Sequence, residues 1–169
     1  MPDMTMNARL LLWFVLALAV VGVDQLTKQL MMGWLSYGQS WPVTPFFDLV
    51  LVFNPGAAFS FLADHDGWQR WFFIVLTSAV SVWLVHLIRR HAQERLMPTG
   101  LSLILGGAIG NLIDRVHFGA VIDFLYFHAG GHGFPAFNVA DSAITVGVVL
   151  MLADQFGLAS RASRVENEA

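Results

Sequence analysis

Four apolar runs, each close to the length that crosses a bilayer, constrain this chain more than any other feature. They cover residues 10–26, 71–88, 96–113 and 139–158. About 20 helical residues span a hydrocarbon core of ~30 Å at 1.5 Å per residue. Only a helix satisfies its own backbone hydrogen bonds over such a span in lipid, so four transmembrane helices are expected. Charge is correspondingly sparse: 56% of the 169 residues are hydrophobic and 12% are charged, against about a quarter charged in a soluble domain. A net charge of −3 leaves no basic patch to meet phosphates, which argues against a nucleic-acid partner. The absence of cysteine excludes disulfides, thiolate catalysis and Cys-zinc sites.

Basic residues give an orientation. Arg9, Arg89, Arg90, Arg95, Arg161 and Arg164 fall on one side, and Lys28, Arg70 and Arg115 on the other. The positive-inside rule then puts both termini in the cytoplasm and the loops 27–70 and 114–138 outside. Ala17-Leu-Ala19 lies within the first apolar run rather than after it, so that run reads as an uncleaved helix rather than a removable signal. Trp34, Trp41, Trp68 and Trp71 suit the outer interface, near an acidic Asp64-His-Asp66 tip.

The outer loops carry strand signals. Residues 46–53 are rich in Val, Phe and Leu, and Asn54-Pro-Gly-Ala57 has Pro and Gly where a type II turn needs them, with 57–61 as a return strand. Segments 121–128 and 134–137 flank Ala-Gly-Gly-His-Gly as a second hairpin. The expected fold is an α-helical integral membrane protein of four helices, with a small antiparallel β-sheet on their outer ends. One domain is expected over 1–169, with a frayed tail after residue 160.

Counting along the helices brings four acids to one level near the outer boundary. Asp24 lies about 22 Å past Arg9, and Asp114 about 24 Å past Pro98. Asp123 follows the third run after a short turn, and Asp141 opens the fourth. Ionisable groups at that depth are costly and face a bundle interior or a site. Asp24 has Lys28 one turn on, and Asp114 is followed by Arg115, so both are placed to find a cation and act structurally. Asp123 and Asp141 have no Lys or Arg within five residues. Two such carboxylates facing each other in low dielectric share one proton, the state an aspartyl hydrolase uses.

Plainer readings stand beside this one. Asn138-Val-Ala-Asp141 also fits a helix N-cap with an acid at N3. Asp123 on a strand also fits a solvent-facing acid, and Asn54 and Asn111 also fit loop and helix-end residues. Gly106, Gly107 and Gly110 read as close helix packing. The six histidines lack a paired metal-ligand motif, and no serine elbow is present, so no metal and no cofactor are expected. Composition and spacing alone reach a four-helix membrane protein with an acidic outer site. A small proton-coupled transporter and a non-enzymatic membrane scaffold remain alternatives to a hydrolase.

Five blocks narrow the choice: Asp24-Gln-Leu-Thr-Lys28, Asn54-Pro-Gly-Ala-Ala-Phe-Ser60, Gly106-Gly-Ala-Ile-Gly-Asn-Leu-Ile-Asp-Arg115, Val121-Ile-Asp-Phe124 and Phe134-Pro-Ala-Phe-Asn-Val-Ala-Asp-Ser-Ala-Ile144. In this order they resemble the bacterial lipoprotein signal peptidase (signal peptidase II) family. The resemblance implies a membrane aspartyl endopeptidase with an outer β-cradle in the cell inner membrane; a monomer is expected. The implied substrate is a diacylglyceryl-modified prolipoprotein, cut just before the lipidated cysteine, and globomycin-type peptides are the implied inhibitors. Carried over residue by residue, the catalytic pair falls on Asp123 and Asp141. Asn54, Asn111, Arg115 and Asn138 then line the site, and Asp24, Lys28 and Asp114 support it. Because a scissile helix must unwind, the Gly56 turn is expected to close over the exposed substrate backbone.

Overall fold

A computed structural model describes residues 5–56 and 68–157. Four helices carry the apolar runs: α1 (Met6–Trp34), α2 (Trp68–Arg90), α3 (Leu96–Phe118) and α4 (Val139–Gln155). The first three are long and apolar enough to cross a membrane. The 17 described residues of α4 span about 26 Å. Between the helices lie β1 (Ser40–Thr44) and β2 (Phe47–Asn54), then β3 (Val121–Ala129) and β4 (His132–Gly133). They form one antiparallel sheet in the order β1-β2-β3-β4. The result is a helical membrane fold with a small sheet at one end.

Helix ends differ from the sequence expectation where polar residues find buried partners. The 29 residues of α1 reach about 43 Å, well beyond a hydrocarbon core, and enclose Lys28, expected in an outer loop. Likewise α3 continues through Asp114 and Arg115 to Phe118, and α2 takes in Arg70. The three basic residues assigned to the outer side are therefore helix residues rather than loop charges, and Lys28 is fully buried.

The core follows from small residues on α3, the central helix. A Cβ on Gly106 would lie 2.6 Å from the Ala17 carbonyl oxygen of α1. Gly100 of α3 and Gly147 of α4 likewise meet backbone to backbone. Close approach through small residues is how helices gain packing in lipid, where hydrophobicity alone does not drive them together. Away from the sheet, Trp13, Leu84, Ile88, Leu101 and Leu105 form an apolar cluster. The Trp13 indole N–H is satisfied by the Ala92 carbonyl at 3.1 Å. Leu11, Val15, Leu18, Val75, Trp83 and Val149 face outward, as lipid contact requires.

The sheet corrects two details. Strand β1 was not anticipated; Pro42 sits in it because an edge strand tolerates a missing N–H. The second hairpin closes at His132–Gly133, not over 134–137, where Pro135 cannot extend the ladder. That segment meets β3 at Phe134, whose N–H donates to the Phe127 carbonyl at 2.8 Å, and at Phe137, whose N–H donates to the Leu125 carbonyl at 3.0 Å. The return strand expected at 57–61, the acidic tip at 64–66 and the tail after 160 lie outside the described residues. At the α3–β3 joint Gly119 adopts φ 76°, and its N–H donates to the Arg115 carbonyl at 3.1 Å. This left-handed cap turns the chain from the helix into β3 within two residues.

Candidate active site

Each polar residue picked out by the sequence lies at the junction of the sheet with the helix ends. Asp123 arrives on β3 and is 2% exposed. Its Oδ2 accepts from Asn54 Nδ2 at 3.1 Å, and its Oδ1 from Asn138 Nδ2 at 2.8 Å. Asn54 ends β2, which pairs with the start of β3. Its Oδ1 in turn accepts from the Gly56 N–H at 2.9 Å, an Asx-type turn with Gly56 at φ 99°.

Asp141 is half-buried in the first turn of α4. The capping reading holds here: Asn138 Oδ1 accepts from the Asp141 N–H at 2.9 Å, and Asp141 Oδ2 from the Asn138 N–H at 3.3 Å. The same Asn138 donates to Asp123, so one residue is both helix cap and bridge between the two acids. Asn111 Nδ2 donates to Asp141 Oδ1 at 2.8 Å. Each carboxylate therefore meets N–H donors from its neighbours.

Below them lies a fully buried charge cluster. Lys28 Nζ contacts Asp24 Oδ2 at 2.8 Å, Asp114 Oδ2 at 2.7 Å and Asn111 Oδ1 at 3.0 Å. The expected Asp24–Lys28 pair is present. Asp114, however, pairs with Lys28 of another helix rather than with its neighbour Arg115, because consecutive helix residues point in different directions. Backbone amides complete the cluster: Ala140 N–H donates to Asp24 Oδ1 at 2.9 Å and Ile122 N–H to Asp114 Oδ2 at 3.1 Å.

Arg115 is half-buried and interacts with the charges of Asp141, Asp114 and Asp123. Its Nη1 reaches the Asn111 carbonyl at 3.4 Å, and its guanidinium lies 4.9 Å from the centre of the Phe73 ring. Its buried Nε has no hydrogen-bond partner among the described residues, leaving a donor available at the site.

Burial pushes the Asp123 carboxyl up to about 7. The hydrogen bond from Asn54 pulls it down, the charge of Asp141 raises it, and Asn138 lowers it again. Like-charge repulsion, the cause expected from sequence, is thus present but secondary to desolvation. Two clefts reach the site. A groove of about 320 Å³ runs between α2 and α4 across α3, lined by Leu76, Val80, Ala108 and Ile144, and ends at Asn111 and Arg115. A second cavity of about 490 Å³ lies against Phe134, Phe137 and Thr145 and opens on Asp141. No group of metal-ligating side chains occurs among the described residues.

The family model for Signal peptidase (SPase) II matches residues 16–157. The chain belongs to the signal peptidase II family. A lipoprotein signal peptidase from Azoarcus sp. (strain BH72) is 60% identical over 157 residues, covering 90% of this chain and 89% of that one. One from Cupriavidus taiwanensis is 57% identical, covering 86% and 82%. A solved bacterial membrane enzyme at 2.3 Å resolution superposes with a TM-score of 0.76 at 34% identity, covering 88% of this chain and 90% of that one. As a signal peptidase II family member the chain is a membrane peptidase, so the transporter and scaffold alternatives fall away.

Two residues of this polar junction carry no signal that the sequence analysis singled out. Gln25 Nε2 donates to Asp114 Oδ1 at 2.9 Å and lies 3.2 Å from Asp24 Oδ2. Its place between Asp24 and Lys28 in a quoted block was the available signal. Phe73 supports Arg115 and packs so closely on Gly56 that a Cβ there would meet its ring. Within an apolar helix nothing marked that phenylalanine.

Proposed function

We propose that this chain is an aspartyl endopeptidase that removes the signal peptide from diacylglyceryl-modified prolipoproteins, cutting just before the lipidated cysteine. One observation carries the reading: two acids without a nearby sequence cation, Asp123 and Asp141, are bridged by Asn138 at the head of a membrane groove. Asp123, with its carboxyl raised to about 7, holds the proton and donates it to the scissile carbonyl. Asp141, set among N–H donors, takes a proton from water as the oxygen attacks. In the second step the gem-diol gives a proton back to Asp123, Asp141 protonates the leaving nitrogen, and the C–N bond breaks.

The signal-peptide helix occupies the groove between α2 and α4. There Asn111 and Arg115 hold the carbonyls exposed as its end unwinds, with Asn54 and the Gly56 turn above. The diacylglyceryl group, worth ~0.8 kcal/mol per buried CH₂, lies in the cavity against Phe134 and Phe137, or extends from it into lipid. Both termini face the cytoplasm and the site faces outward, where a translocating precursor presents its cysteine. The enzyme works as a monomer, and globomycin-type peptides compete for the same acids.

The deciding experiment incubates the purified protein in phospholipid bicelles with a diacylated and a non-diacylated precursor, followed by mass analysis. Cleavage before the cysteine of the lipidated form only is expected. Asp123→Asn and Asp141→Asn should each abolish it while leaving the protein folded. Full activity in either variant, or equal cutting of both precursors, defeats the proposal.

A further inference from the structure

The Lys28 cluster does not touch the two reacting carboxylates, yet it grips the chain beside each of them. Asp114 accepts the N–H of Ile122, the residue immediately before Asp123. Asp24 accepts the N–H of Ala140, the residue immediately before Asp141. Lys28 Nζ joins the two grips at 2.7 and 2.8 Å. Its third donor goes to Asn111 Oδ1, which also accepts from Asn138 Nδ2 at 3.2 Å. With its oxygen so occupied, the Asn111 amide must turn its NH₂ toward Asp141.

The arrangement is stiff for an electrostatic reason. Two buried carboxylates and one ammonium leave an excess negative charge, which in a dry interior is tolerated only when further N–H groups compensate it. The Ile122 and Ala140 amides and Gln25 Nε2 supply that compensation. Loosening either backbone grip would strand charge on a carboxylate that is 0% exposed. Gly110 makes room for the cluster: a Cβ there would stand 2.5 Å from Asp24 Oδ2.

We propose that Lys28, with Asp24 and Asp114, is a spacer that fixes the separation of Asp123 and Asp141 by holding the backbone amide before each of them. The inference rests on reading Asp123 and Asp141 as the reacting pair. Lys28, Asp24, Asp114 and Gln25 are positioning residues: they act on the rate through geometry and make no contact with substrate.

Two arms test it. In the first, kcat and KM on the diacylated precursor are measured for Asp24→Asn, Asp114→Asn, the double variant and Gln25→Met. Misplacement of reacting groups predicts a kcat loss of roughly 10- to 100-fold with KM nearly unchanged. The double variant should be no worse than the weaker single one, because one released grip already frees the spacing. A rise in KM at constant kcat, or losses that multiply in the double variant, would overturn the proposal. Gln25→Met keeps every buried charge, so it carries the same prediction if an Asp→Asn protein does not fold. Folding itself is followed by tryptophan fluorescence.

The second arm needs no turnover. The chain contains no cysteine, so Asp123→Cys and Asp141→Cys together provide a unique thiol pair. Bifunctional thiol reagents of graded length should bridge this pair within a narrow length range. Adding Asp114→Asn or Gln25→Met should broaden that range. An unchanged length profile would sink the spacer. If the native protein fails to cut lipoproteins, the proposed function falls, while this arm still decides whether the cluster sets the spacing.

Discussion

The raised Asp123 carboxyl makes a prediction about stability that does not depend on catalysis. In the unfolded chain this group titrates near 3.8, and in the folded protein near 7. Between those values the folded state holds a proton that the unfolded state has released. Stability therefore falls as pH rises through this window, by about 1.4 kcal/mol per unit, and levels off above 7. From pH 5 to pH 8.5 the native protein should lose about 3 kcal/mol through this one group. Asp123→Asn cannot ionise and should show no such loss. The substitution does remove an acceptor from a buried pair of donors, Asn54 and Asn138. That costs about 1–3 kcal/mol, but equally at every pH. The variant should thus be the weaker protein at pH 5 and draw level with or pass the native one at pH 8.5. The assay is unfolding by SDS in mixed micelles, read by the fluorescence of the six tryptophans. Contributions common to both proteins cancel in the difference. Parallel pH–stability curves would refute a proton held on Asp123 by burial.

Three further substitutions and one control probe separate parts of the molecule. Asn54→Ala should leave the fold intact and reduce turnover about tenfold; because Asn54 lowers the Asp123 carboxyl, its loss should move the alkaline limb of the rate profile to higher pH, and an unmoved limb would remove Asn54 from the site. Gly110→Ala puts a methyl 2.5 Å from a carboxylate oxygen held by Lys28 and should destabilise by about 1–3 kcal/mol in the SDS assay, whereas Gly22→Ala, with nothing within 4 Å, should not destabilise. In the sheet, Ser40 and His128 hold the Asp48 carboxyl below its ordinary value. That stabilisation is present above about pH 4 and is lost as the acid protonates below it, so Asp48→Asn should lower the melting temperature at pH 7 and leave it unchanged near pH 2.

What the sequence made legible depended on how far apart in the chain the cooperating groups lie. Helices were readable because apolar length is local, and the convergence of Asp24, Asp114, Asp123 and Asp141 on one level followed from counting along them. The N-cap of α4 was readable because Asn138 and Asp141 are three residues apart. Lys28 with Asp24 is a pair at i and i+4, and it too was visible. The partner of Asp114 was not, because Lys28 lies on another helix and the adjacent Arg115 looked equally available. Strand β1 hid because its identity comes from an edge position beside β2, not from its own five residues.

The same distance rule explains why the site reads more clearly than its support. Each acid advertises itself by standing in apolar sequence, where an unexplained charge is costly. The groups that make that charge tolerable are ordinary backbone N–H donors at Ile122 and Ala140, which carry no side-chain signature. Buried carboxylates need such donors more than they need a second cation, since each N–H adds compensation without adding another ion to desolvate. The expectation follows that changes at residues 122 and 140 that keep the backbone, such as Ile122→Val, leave the rate unaltered. A change that tilts either amide should slow the reaction as much as losing Asp114.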